Sequence, residues 1–323
     1  MGVQKKSSSD RILITGGAGF IGGHLARALT ASGEEVTVLD DLRVPPMVPP
    51  EGTGKFLEKP VLALEDRDLA DVRLVYHLAS YKSVPRSFKQ PLDYLDNVDS
   101  GRHLLSLCTD VGVPKVIVGS TCEVYGEAGT LPTPETGPLS PRSPYAASKV
   151  GLEMVARAHQ RAAGAPEVGV VRFFNVYGPG ERPDALVPRL CGTLLSRNEL
   201  PVEGDGEQRR DFTYITDVVD RLIALADRPL APVVNLGSGR SSSVNDVVRI
   251  LREGSPGAEV TRNASRPNEI REFRADTTLQ DRLLGSRPAG VAIEEGVLRT
   301  LEWWQSRDPD DIRQRIFQEE GAD

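Results

Sequence analysis

Seven residues between two apolar runs constrain this chain most: Gly16-Gly17-Ala18-Gly19-Phe20-Ile21-Gly22. Before them, R-I-L-I-T at 11–15 reads as a short buried strand. After them, Leu25, Ala28 and Leu29 continue with helical spacing until Gly33. A second apolar run, 35–39, ends at Asp40. The pattern is a β-α-β unit with G-x-x-G-x-x-G at its first turn. Glycines let the backbone turn tightly and approach a pyrophosphate, and the helix amino terminus offers unpaired N–H groups and a positive dipole end. Asp40 stands where a carboxylate accepts from both ribose hydroxyls and repels a 2′-phosphate, which predicts NAD over NADP. Arg43 points the other way. The cofactor-binding candidates here are Gly16, Gly19, Phe20, Ile21, Gly22 and Asp40, with Gly22 also serving helix–strand packing.

Alternation continues beyond this unit. The stretch 45–50 is rich in proline and must be a loop. Residues 72–79 (V-R-L-V-Y-H-L-A) read as a buried strand in which His77 is a packed, hydrogen-bonded side chain, not a catalyst. Residues 91–108 carry a helical pattern that includes Asn97. A strand at 113–119 delivers Ser120, Thr121, Cys122 and Glu123 at its carboxyl end. A helix spans 144–163, and 168–174 is one more strand. Strands alternating with helices predict a doubly wound parallel (Rossmann) α/β sheet. The pattern is less regular after residue 176. There, 204–211 reads as a loop with two arginines, 216–226 as a helix and 233–236 as a strand. The residues after Asp308 are charged and read as peripheral. This suggests a cofactor domain at 10–176 and a smaller carboxyl-terminal substrate-binding region at 177–318, with interleaving of the two left open.

Composition excludes several classes. A length of 323 residues suits one large or two ordinary domains with a sizeable core. A net charge of −7 argues against nucleic acid, which selects a basic stripe. The apolar runs are too short for a membrane span. The first ten residues lack the apolar core of a signal peptide, and Lys6 breaks the myristoylation pattern. Three scattered cysteines, Cys108, Cys122 and Cys191, form neither a disulfide framework nor a metal pattern, so no metal is expected and a reducing cytoplasm fits.

The chemistry lies near Thr121-Cys122-Glu123, Tyr145 and Lys149. A Tyr and a Lys four apart on a helix share one face. An ammonium beside a phenol favours the phenolate. A free phenol titrates near ~10, so a base working near neutrality needs a shift of roughly 3 units, ~4 kcal/mol. Thr121 can share the substrate proton. Cys122 and Glu123 add an acid and a base, which suggests redox chemistry coupled to a second proton transfer.

Together these residues resemble the extended short-chain dehydrogenase/reductases that act on nucleotide sugars. The resemblance covers residues 10 to 305. It rests on the 15–22 turn, His77-Leu78-Ala79, Tyr145 with Lys149, R-F-F-N-V-Y-G-P at 172–179, R-D-F-T-Y at 210–214, N-L-G-S-G at 235–239 and Arg266-Pro267. It implies a tightly held, recycled NAD contacted also by Leu78, Ala79, Tyr145 and Lys149. It implies that Thr121, Tyr145 and Lys149 oxidise the sugar C4 hydroxyl. Ser83, Asn175, Arg210 and Arg266 are then the residues for a UDP-sugar, as arginines fork onto phosphate bidentately. It also implies a homodimer built on helices near 93–108 and 146–162. No adenine contact follows, because 62–66 aligns poorly.

S-T-C-E-V-Y-G at 120–126 resembles the S-T-D-E-V-Y-G of nucleotide-sugar 4,6-dehydratases, with Cys for Asp. A C4 ketone makes the C5 proton acidic, and Glu123 is the base placed to remove it. Cys122 either protonates the departing C6 hydroxyl or is a small apolar filler. A thiol with a reference value near ~8.5 is already protonated at neutrality, where an Asp must be tuned upward. The T-C-E signature resembles dehydratases of UDP-N-acetylglucosamine that return the hydride to C4 and leave a 5,6-ene. The rival readings are a 4,6-dehydratase, a UDP-glucuronate decarboxylase, a 4-epimerase with Glu123 idle, and a non-catalytic NAD sensor.

Overall fold

A computed structural model describes residues 10–265, 269–285 and 290–320. The amino-terminal part runs β1 (Arg11–Thr15), α1 (Phe20–Ala31), β2 (Glu35–Asp40), β3 (Lys55–Glu58), β4 (Val72–His77), α2 (Val84–Lys89), α3 (Asp96–Val111), β5 (Lys115–Thr121), α4 (Pro144–His159) and β6 (Glu167–Phe173). Next come β7 (Val176–Tyr177), α5 (Leu186–Arg197), β8 (Glu199–Glu203), β9 (Arg209–Arg210), β10 (Thr213–Tyr214), α6 (Ile215–Ala226) and β11 (Val233–Leu236). The chain ends with β12 (Ser242–Ser243), α7 (Val244–Gly254), β13 (Glu259–Asn263), α8 (Thr278–Leu284), α9 (Ile293–Gln305) and α10 (Pro309–Glu320).

Seven strands form one sheet in the order β11-β6-β5-β4-β1-β2-β3. Every pairing from β3 to β6 is parallel. This is the doubly wound sheet that the alternation predicts. Chain order reverses between β1 and β4, and ligands of such sheets bind beyond the carboxyl ends of the strands at that point. The core joins Leu13, Val75, Val116 and Val170 of the sheet to Leu104 of α3 and Leu152 of α4. Gly101 lets the two helices approach, since a Cβ there would lie 2.1 Å from Leu152 Cδ1.

Contacts divide the chain into two interleaved units. The first runs to Gly126 and adds Pro138–Phe173 and Val219–Val234. The second comprises Glu127–Gly137, Phe174–Val218 and the chain from Asn235. Within the second unit, β8 pairs with β13 in parallel and β9 with β12 in antiparallel fashion.

Several boundaries differ from expectation. The strand read at 72–79 ends at His77, which leaves Leu78 and Ala79 on the loop beyond it. The helix read at 91–108 opens as a 3-10 turn, Pro91–Leu95, and continues as α3 to Val111. The loop at 204–211 contains β9. The tail beyond Asp308 is not peripheral: α10 buries Ile312 and Ile316. Its seat is on α5, where a Cβ on Gly192 would fall 2.4 Å from Ile316 Cδ1.

Candidate active site

The glycine-rich turn is built from backbone contacts that side chains would forbid. A Cβ on Gly16 would lie 2.6 Å from Ala79 N, and one on Gly22 2.2 Å from Gly16 O. Gly16 also has φ +70°, a left-handed conformation that suits glycine. Gly22 is buried against protein backbone, so its part is the packing of α1 on the turn. Gly19 is exposed and caps α1 without any side chain, so the first-turn N–H groups at Phe20 and Ile21 are open to an anion. Asp40 Oδ2 accepts from Ala18 N at 3.1 Å and Oδ1 from Leu42 N at 3.0 Å. Burial raises its pKa, and these backbone bonds offset part of the rise. Arg43 is engaged by Asp41 at 3.3 Å and Asp96 at 3.8 Å, with its guanidinium 5.2 Å from the Tyr81 ring centroid. The uncapped α1 amino terminus and the Asp40 carboxylate are the groups here that could hold a dinucleotide.

Thr15 and His77 close the floor of this cradle. His77 Nδ1 and Thr15 Oγ1 are 2.9 Å apart, and Thr15 Oγ1 accepts from Ala79 N at 3.3 Å. Burial, with the nearby Lys149 charge, pushes His77 down to about 3, so it stays neutral. It is a packed histidine, as the sequence suggests.

Ser143 starts α4: its hydroxyl accepts from Ala146 N at 3.1 Å, and Pro144 fills the first helical position. This cap sets Tyr145 in the first turn and Lys149 one turn later. Both are buried. Thr121, the last residue of β5, is hydrogen-bonded through its hydroxyl to the Tyr145 phenol. The same hydroxyl accepts from Glu123 N at 3.2 Å and so starts the 3-10 turn Cys122–Tyr125. Cys122 is buried, whereas Glu123 is partly exposed and its charge reaches Tyr145. The first unit therefore brings together all five residues proposed for catalysis.

One electrostatic expectation is reversed. Burial raises the Tyr145 pKa above the ordinary phenol value, and the Thr121 hydrogen bond only partly offsets it. Lys149 is itself lowered to about 8 by burial, against the opposing charge of Glu153. Its Nζ donates to Gly119 O at 2.9 Å. Desolvation thus outweighs the ion–phenol attraction on which the spacing argument relied.

The other candidates divide. Ser83, in the first unit, caps α2 by accepting from Arg86 N at 3.3 Å. In the second unit, Asn175 has a buried Oδ1 without a hydrogen-bond partner. Arg210 Nη1 donates to Arg209 O and Ile270 O, both at 2.9 Å, and Nη2 pairs with Glu269. Arg266 lies outside the described residues.

Other side chains around Tyr145 were missed as site residues. Tyr94 packs edge-on against Tyr145 with centroids 6.1 Å apart, and its hydroxyl donates to Ser83 O at 2.5 Å. Asn97 Oδ1 accepts from Tyr81 N at 2.9 Å while Nδ2 donates to Ser148 Oγ at 2.9 Å. A lone Asn on the apolar face of a predicted helix was the available signal.

The profile of the NAD dependent epimerase/dehydratase family matches residues 12–237. This chain belongs to that family. It is 82% identical to TunA, whose structure is that of an NAD-dependent NDP-hexosamine 5,6-dehydratase involved in tunicamycin biosynthesis. The match covers 94% of this chain and 100% of TunA, with a TM-score of 0.92. MoeE5, solved with UDP-glucose and NAD, is 35% identical over 91% of this chain and 98% of its own, with a TM-score of 0.83. The UDP-glucuronate 4-epimerase of Thermodesulfobacterium geofontis is 32% identical over 313 residues, 90% of this chain and 95% of that enzyme. Among the described residues, no helix is long and apolar enough to cross a membrane, and no group of three or more His, Cys, Asp or Glu could hold a metal ion.

Proposed function

We propose that this chain removes water across C5 and C6 of UDP-N-acetylglucosamine and leaves a 5,6-alkene. The observation that carries the reading is Glu123, partly exposed and tied through its backbone N–H to the Thr121 hydroxyl, in a chain this similar to TunA. An epimerase needs no carboxylate there.

The glycine turn, Asp40, Leu78 and Ala79 hold NAD. Ser83, Asn175, Arg210 and Arg266 hold the nucleotide sugar; 10–176, which also carries Ser83 and Asn175, chiefly serves the cofactor, and 177–318 chiefly the substrate. Tyr145, through Thr121, takes the proton of the C4 hydroxyl. Bound NAD would supply a reversible hydride acceptor and a positive charge, which favours the phenolate. Lys149 orients with its ammonium fixed on Gly119 O. Glu123 then removes the C5 proton, acidified by the C4 ketone. Cys122 protonates the C6 oxygen as it departs as water. Tyr145 finally returns its proton to the C4 oxygen as the hydride returns to C4.

A cytoplasmic homodimer completes the reading. Phe88, Leu92 and Leu95 are 57%, 76% and 54% exposed beside α3, and Met154 of α4 is also exposed. These apolar side chains support pairing through α3 and α4.

Incubation with UDP-N-acetylglucosamine tests the reaction. The product should be about 18 mass units lighter and show an exocyclic methylene by proton NMR. A methyl signal would make it a 4,6-dehydratase, and inversion at C4 without mass change an epimerase. Loss of about 44 mass units from UDP-glucuronate would make it a decarboxylase.

A further inference from the structure

The turn that carries Cys122 and Glu123 is bracketed by Ser120 and Tyr125, and both are tied to one buried ion pair. Glu153 of α4 is 0% exposed and Arg172 of β6 2%. The guanidinium meets the carboxylate twice, Nε to Oε1 at 2.9 Å and Nη2 to Oε2 at 2.7 Å. Ser120 Oγ donates to Glu153 Oε1 at 2.5 Å. Arg172 Nη1 donates to the Tyr125 hydroxyl oxygen at 2.7 Å, with the guanidinium carbon 4.7 Å from the ring centroid. A bidentate fork fixes direction as well as distance.

Stability is a poor explanation for such a pair. Withdrawing two ions from water costs several kcal/mol each, and apolar replacements often do as well. A fully satisfied buried network instead specifies one arrangement of the parts it joins. Here it joins β5, the 3-10 turn, α4 and β6. Thr121, Tyr145 and Lys149 are held by strand and helix ladders. Glu123 rides on a single turn, so its aim needs an outside reference.

We propose that the Glu153–Arg172 pair is the jig that aims Glu123 and Cys122, acting through Ser120 at one end of the turn and Tyr125 at the other. Glu153, Arg172, Ser120 and Tyr125 are positioning residues for the elimination half of the reaction more than for hydride transfer. The inference rests on Glu123 being the C5 base. A misplacement of about 1 Å at a reacting group costs about a hundredfold in rate. A jig that loses one of its two tethers should cost a substantial part of that.

Tyr125→Phe tests it, because the ring stays beside the guanidinium and only the hydroxyl goes. Two rates are measured with UDP-N-acetylglucosamine in D₂O: exchange of the C5 proton, and reduction of enzyme-bound NAD by absorbance. Their ratio should fall about tenfold in Tyr125→Phe and by a smaller factor in Ser120→Ala. A merely structural role would lower both rates together, or only the melting temperature, and an unchanged ratio overturns the proposal. If Tyr125→Phe does not fold, the Ser120→Ala ratio decides. Glu123→Gln separates the two readings. Exchange surviving at the parent rate in that variant removes the base and the jig together. Exchange lost there, with the ratio unmoved by the tether variants, removes the jig alone.

Discussion

Two fully buried carboxylates, one in each unit, hold their surroundings by opposite means. Glu153 bonds to side chains, Arg172 and Ser120. Asp211 gathers mainly backbone: Ser238 N at 2.7 Å, Gly239 N at 2.9 Å and Ala275 N at 3.0 Å, with Ser238 Oγ at 2.6 Å. Burial raises the Asp211 pKa, and these hydrogen bonds offset part of the rise. The first arrangement fixes the aim of individual groups and depends on the identity of each partner. The second fixes the path of a loop and is indifferent to most side chains upon it. Precision chemistry calls for the first, and a binding loop that must keep its shape while its side chains change is served by the second.

The sharpest way to break this contrast is at Tyr145, whose chemistry the side-chain arrangement serves. Tyr145→Phe should lower kcat about a thousandfold while NAD stays bound and the melting temperature holds. Substantial turnover would leave the first unit with nothing to aim. Next comes Asp211→Ala, which strands three backbone N–H groups. At about 1–3 kcal/mol for each, urea unfolding should show a loss of about 3 kcal/mol or more. A loss below about 1 kcal/mol would mean the loop does not depend on this carboxylate.

The pH dependence sharpens the other side. Lys149 is lowered from 10.5 to about 8, so its ammonium is lost as pH rises through about 8. kcat/KM of the free enzyme should fall toward tenfold per pH unit above that point, and a flat profile would remove Lys149 from the mechanism. For stability the sign is opposite. Between about 8 and 10.5 the unfolded chain binds more protons at this site than the folded chain, so Lys149 contributes rising stability through that window. Glu153→Gln should move the falling limb to lower pH, because the Glu153 charge now raises Lys149. The smallest effect is expected where a pair is neither buried nor networked. Glu34→Gln removes the half-exposed Arg73 contact at 2.7 Å and should cost under about 0.5 kcal/mol.

What was legible in the sequence is what repeats at short range. The glycines at 16 and 22 announce themselves because backbone contacts exclude any side chain there. Tyr145 and Lys149 were visible as one helical face. Glu153 lies on that face too, one turn beyond Lys149, but its meaning depends on Arg172 of a separate strand, and no spacing rule joins them. Asp211 was only an acid within R-D-F-T-Y, since its partners are amides that every residue carries. The Tyr145 pKa was misread because spacing shows charges and hides burial. β3 is a four-residue edge strand with charged ends, too short for a period to register. α10 presents just Ile312 and Ile316 at helical spacing, and the notch at Gly192 that receives Ile316 is invisible in sequence.

The place of β11 in the sheet has a consequence for synthesis of the chain. It lies next to β6, yet α5, β8 and α6 are translated between the two. Until the ribosome has delivered β11, β6 presents an unpaired parallel edge on which a second nascent chain can add a strand. Slow translation across that interval prolongs the exposure.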